Sequence, residues 1–89
     1  MSKYELVAIP GLELFREDFK TNLQYLRNDK RLTQGKLSEL SGVNIRMIQH
    51  YEQGVKDINK AQAITVYKLA EALGCSMEDL IEIKKEVEE

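Results

Sequence analysis

The run Thr33-Gln34-Gly35-Lys36-Leu37-Ser38-Glu39-Leu40-Ser41-Gly42-Val43-Asn44-Ile45-Arg46-Met47-Ile48-Gln49-His50-Tyr51-Glu52-Gln53-Gly54 decides how this chain folds. Thr33 and Asn44 are side chains that accept a hydrogen bond from the open N–H groups at a helix start, so each predicts an N-cap. Gly42 and Gly54 tolerate the left-handed conformation common just past a helix end. The run therefore reads as a short helix of about residues 33–41 and another of about residues 45–53. Leu37 and Leu40 are expected to form the buried side of the first. With Ile48 at the origin of a wheel turning about 100° per residue, Ile48 and Tyr51 define the inward side of the second. Gln49, Gln53, Arg46 and His50 fall on the opposite arc, which holds neither an aliphatic side chain nor an acid.

Outward from this pair the spacing stays helical. Leu12, Phe15, Phe19, Leu23 and Leu26 recur every three or four residues and predict a long first helix from about Leu12 to Asn28. After a polar loop, Val55 to Lys60, a fourth helix is expected from about Ala61 to Leu73, with Val66, Leu69, Ala70 and Leu73 facing inward. Gly74 ends it. Ser76-Met77-Glu78-Asp79 then opens a fifth helix, with a serine cap and acids where the helix dipole favours them, and Leu80 and Ile81 anchor it. Pro10-Gly11 closes off Tyr4–Ile9, which could be extended; Leu14 and Tyr25, opposite the main stripe of the first helix, are expected to pack under it, with a subunit contact as the alternative. The expected architecture is all-α, a compact five-helix domain over 12–83. A short N-terminal extension (1–11) precedes it, and an acidic tail (84–89), expected to fray, follows.

Composition narrows the function. The 89 residues carry a formal charge of −2, with 43% hydrophobic and 31% charged residues, which suits one soluble domain. The longest apolar run, Leu6-Val7-Ala8-Ile9, is far short of the ~20 residues of a membrane span. The start lacks a signal-peptide pattern, so a cytoplasmic location is expected. Cys75 alone cannot close an internal disulfide, and with His50 it cannot complete a zinc site, so no metal or cofactor is expected. Cys75 is read as a small hydrophobe, and Tyr25, Tyr51 and Tyr67 as core or interface residues. No paired acid–base constellation, phosphate-cradling glycine loop or nucleophile motif points to an enzyme. The charge is uneven: residues 1–20 sum to −1, residues 21–60 to +3 and residues 61–89 to −4. A basic middle permits a polyanionic partner despite the acidic whole.

Two short helices joined so tightly must cross steeply, which is the helix-turn-helix arrangement. An α-helix fits the DNA major groove, where Arg, Gln and Asn match the donors and acceptors of base edges. A merely solvated face would also be polar, but such faces are generally richer in Glu and Lys. Leu26-Arg27, Leu32-Thr33-Gln34, Leu37 to Val43, Ile48, Tyr51 to Gly54 and Lys68 to Leu80 occur in order and at matching spacing. Over about residues 20–82 the chain thereby resembles the lambda-repressor-like, Cro/XRE-type helix-turn-helix family of transcriptional regulators.

That resemblance implies double-stranded DNA as partner, a homodimer on a two-fold operator, and action by occupancy. It implies base reading by Ile45, Arg46 and His50, with Asn44 and Gln49 beside them as further base-reading candidates, and phosphate contact by Gln34; Thr33, Lys36, Gln53, Lys56 and Lys60 are read as further phosphate contacts. Gln34 would bond a phosphate through its backbone N–H while its amide braces the recognition helix. Ile45 stands where a polar residue is often found, and Met47 where a small one is usual. Arg27 and Glu52 match a structural ion pair that ties the first helix to the end of the third. The acidic C-terminal end and Tyr4–Ile9 leave one alternative open, an antitoxin-like or adaptor module that binds a protein partner on the same scaffold.

Overall fold

Hydroxyl and amide caps set the helix starts. Thr21 Oγ1 accepts from Gln24 N–H, Thr33 Oγ1 from Lys36 N–H, Asn44 Oδ1 from Arg46 N–H and Ser76 Oγ from Asp79 N–H. In the computed structural model, which describes residues 13–83, these caps precede α1 (Asn22–Asp29), α2 (Gln34–Ser41), α3 (Ile45–Glu52) and α5 (Met77–Leu80). Helix α4 (Ala63–Leu73) starts after Gln62 without a side-chain cap. Two 3-10 turns, Arg16–Asp18 and Ile58–Lys60, complete the elements, and no strand occurs among the described residues. Among the described residues the fold is all-α with five helices, as the periodicity predicts. Gly42 and Gly74, at φ 76° and 70°, end α2 and α4 in the left-handed conformation that a side chain would oppose.

One core joins all five helices. Leu23, Leu37, Ile48, Leu69, Leu73 and Leu80 are fully enclosed, with Val43, Tyr51, Ile58, Val66 and Ala70 around them. Helix α2 packs on α3 and α4, α1 packs on α3, and α5 packs on α4. Burying a Leu or Ile side chain of this kind contributes about 1.5–3 kcal/mol, so the core holds α2 and α3 in a fixed relative pose.

Three expectations need correction. The first helix starts at Asn22, ten residues later than the spacing predicts. Thr21 is extended and captures the Gln24 N–H, while Arg16 donates to the Phe19 carbonyl (2.7 Å) and to Asn22 Oδ1, so the preceding residues turn instead of winding. Phe15 is exposed; Phe19 is buried, its ring 5.7 Å from that of Tyr25. Second, Leu40 is 53% exposed, because the last turn of α2 leaves it on a groove shared with Lys68 and Ala72 of α4. Third, the loop after α3 is not wholly polar. Ile58 enters the core from the second 3-10 turn. Tyr4–Ile9, Leu12 and the acidic tail lie outside the described residues.

A polar clamp joins the two ends of this domain. The Glu82 carboxylate accepts from Asn22 N–H at the open start of α1 and from Arg16 Nη2 (3.3 Å). Asn59 holds the Glu82 backbone at both groups, donating to its carbonyl (2.7 Å) and accepting from its N–H (2.8 Å). Asn22 Nδ2 donates to the Ile81 carbonyl at 2.9 Å.

Candidate nucleic-acid interface

The turn between α2 and α3 is fixed by hydroxyls at the end of α2. Ser38 Oγ donates to the Val43 carbonyl (2.6 Å), Ser41 Oγ accepts from Val43 N–H (3.1 Å), and the Val43 side chain is buried. Helix α3 thus leaves the turn with Ile48 and Tyr51 against the core and its other edge outward. Arg46 and Gln53 are exposed on that edge, and Gln49 and His50 are half-buried. Met47 is half-buried and packs against the core, which removes it from the outer edge. Ile45 is exposed but its Cδ1 lies over Gly35, 4.0 Å from where a Cβ would sit there. Asn44 is exposed, and its Oδ1 is committed to capping the Arg46 N–H at 2.7 Å.

Glu52, the only acid of α3, is fully buried and adds nothing to the outer field. Arg27 Nε donates to its Oε2 at 2.5 Å and Arg27 Nη2 to its Oε1 at 3.0 Å, while Arg27 Nη1 holds the Leu32 carbonyl at 2.7 Å. Gln34 Nε2 donates to the same Oε1 at 3.0 Å, and Gln49 Nε2 donates to Gln34 Oε1 at 3.4 Å. Thr21 Oγ1 also donates to the Glu52 carbonyl at 3.1 Å. Arg27, Glu52, Gln34 and Gln49 therefore form one network that locks the start of α2 to α3 and α3 to α1.

Around this edge lie donors suited to phosphate. The N–H groups of Gln34 and Gly35 open the first turn of α2, where the helix dipole favours an anion. Thr33 is exposed, with its Oγ1 accepting the Lys36 N–H. Lys36 pairs with Glu39 at 3.2 Å, both exposed, a contact worth about 0–1 kcal/mol that a phosphate could displace. Lys56 and Lys60 are exposed after α3, on the loop and on the second 3-10 turn. The structure adds Lys20, which sequence reasoning missed. Its side chain reaches Gly54, the Cε lying 3.4 Å from where a Cβ would sit there. Lys20 stands among acids in the chain, so nothing in the linear pattern marks it. Among the described residues no cluster of His, Cys, Asp or Glu could hold a metal, and no helix is long and apolar enough to cross a membrane.

A family model described as helix-turn-helix matches residues 23–80, from within α1 to the last residue of α5. The chain belongs to the Cro/C1-type helix-turn-helix family. This is a family of DNA-binding transcription regulators with the lambda-repressor-like fold. Searches of curated proteins and of solved structures give no match. In this helix-turn-helix regulator the matched span holds α2 to α5, nearly all of α1 and the Arg27–Glu52 pair, whereas the Arg16–Phe19 turn and Glu82 lie outside it.

Proposed function

We propose that α3 is the recognition helix of a sequence-specific regulator, lying in the major groove of double-stranded DNA while the start of α2 sits on a flanking phosphate. The observation that carries this reading is the outer edge of α3: Arg46 and Gln53 exposed, Gln49 and His50 beside them, and its single acid withdrawn into the core. Arg46 suits bidentate pairing with guanine O6 and N7, and Gln49 and His50 reach neighbouring base edges. Ile45 supplies an apolar contact for a thymine methyl. Thr33, Gln34, Lys36, Gln53, Lys56 and Lys60 hold phosphates and fix the register. The protein acts as a homodimer, whose two recognition helices engage half-sites about one helical turn apart, and it regulates by occupying its operator.

Selection of bound duplexes from a random pool tests this. The expected product is a two-fold-related sequence with half-sites about 10 base pairs apart. Three lysines per subunit on phosphates predict a slope of log affinity against log salt of about −5 for the dimer. Enrichment of no sequence, with binding insensitive to salt, would overturn the proposal.

A further inference from the structure

Lys56 and Lys60 stand on one loop, and its hold on the rest of the domain is narrow. Val55 is exposed, so Ile58 is the loop's apolar anchor. The Val55 and Lys56 N–H groups share the His50 carbonyl, at 2.9 Å and 3.2 Å, which ties the start of the loop to α3. Asp57 serves the loop itself: its carboxylate accepts from Asn59 N–H at 2.9 Å and its carbonyl from Lys60 N–H at 3.0 Å. Asn59, between the two lysines, ties the loop to the chain end. Its Nδ2 donates to the Glu82 carbonyl at 2.7 Å and its Oδ1 accepts from Glu82 N–H at 2.8 Å. One such bond would act as a hinge. Two, to both backbone groups of one residue, fix position and orientation together. Glu82 is itself held: Leu80 is fully enclosed, the Ile81 carbonyl accepts from Asn22 Nδ2 at 2.9 Å, and the Glu82 carboxylate accepts from Asn22 N–H and Arg16.

We infer that Asn59 is a positioning residue for DNA binding, holding Lys56 and Lys60 where they meet the phosphate backbone. It acts through the loop, because its amide oxygen and one amide N–H are committed to Glu82. A loop ordered before binding spares the complex the entropy of ordering it on the duplex. Residue 82, beyond the span that matches the family, thereby becomes a working part of the interface. The inference rests on the two lysines contacting phosphate in the proposed complex, and goes beyond it by naming the residue that sets them in place.

Salt dependence on the selected duplex tests it, with circular dichroism confirming that each variant is folded. The slope of log affinity against log salt counts phosphate contacts, and about −5 is expected of the wild-type dimer. Asn59→Ala, losing roughly one contact per subunit, should give about −3.5 and bind at least about tenfold more weakly at ~0.1 M salt, with base preferences intact. Asn59→Ser, whose single hydroxyl cannot hold both Glu82 groups, should behave alike. Added to Lys56→Ala with Lys60→Ala, Asn59→Ala should change the slope no further, which a general loss of stability would not predict. If the wild type shows the steep slope and both Asn59 variants keep it, or if Asn59→Ala lowers it equally without the two lysines, the inference fails alone. If the wild type binds no duplex, the phosphate reading of Lys56 and Lys60 fails and the inference falls with it.

Discussion

Glu52→Gln removes one charge and almost no volume, and the geometry around it makes the cost calculable. Glu52 is 0% exposed and Arg27 is 3% exposed. Three donor groups converge on the carboxylate: Arg27 Nε at Oε2, and Arg27 Nη2 and Gln34 Nε2 at Oε1. A glutamine at 52 must place its NH2 at one of these two positions, so at least one donor of Arg27 faces another donor. The guanidinium cannot deprotonate in response. Breaking a buried ion pair from one side costs about 3–5 kcal/mol, a large share of the ~5–15 kcal/mol that stabilises a typical domain. At about 4–8 °C per kcal/mol for a domain of this size, Tm should fall by at least about 12 °C. Urea unfolding followed by circular dichroism reads the free energy directly. The double variant Arg27→Met with Glu52→Met removes both charges and should be less destabilised than Glu52→Gln alone. A loss below about 1 kcal/mol for Glu52→Gln, or a double variant worse than the single, would show that the pair is not held as a buried charge.

Leu37→Ala should cost about 2–5 kcal/mol and Leu40→Ala less than about 0.5 kcal/mol, because only the first side chain is enclosed; equal losses in urea unfolding would place Leu40 in the core. Asn59→Ala removes both bonds to the Glu82 backbone and should lower stability by about 1–2 kcal/mol, with faster amide exchange at Glu82 as the local signature. Burial pushes the Cys75 thiol above its ordinary pKa; Asp79 adds to the shift and Lys30 opposes it. The folded state therefore holds that proton more tightly, and the associated stability, present below the ordinary thiol range, is lost as pH rises through it. Alkylation by iodoacetamide at pH 8 should be slower in the folded protein than in urea, and equal rates would contradict the shift.

Much of the fold is legible because its boundaries are chemical. Thr33, Asn44 and Ser76 cap helices as their side chains predict, and Gly42 and Gly74 end them. The start of α1 is not legible, since Phe15, Phe19 and Leu23 keep helical spacing across a turn held by Arg16 and Glu82, residues 66 apart in sequence. Ile58 hides in a polar loop because a single apolar residue carries no periodicity. Exposure of Leu40 depends on where α4 lies, which local pattern does not encode. At the interface, the polarity of α3 is visible on a helical wheel. The family resemblance implies that the Gln34 amide braces the recognition helix, but its partners Glu52 and Gln49, and the approach of Lys20 to Gly54, join residues 15 or more apart and emerge only in the folded arrangement.

Methylation interference on the selected operator tests most directly whether α3 reads the major groove. Dimethyl sulfate modifies guanine N7 in the major groove and adenine N3 in the minor groove. If Arg46 pairs with guanine N7, methylation of one guanine per half-site abolishes wild-type binding, and Arg46→Ala, binding more weakly, no longer distinguishes that guanine when methylated. Interference confined to adenine N3, or a pattern unchanged by Arg46→Ala, would contradict that reading.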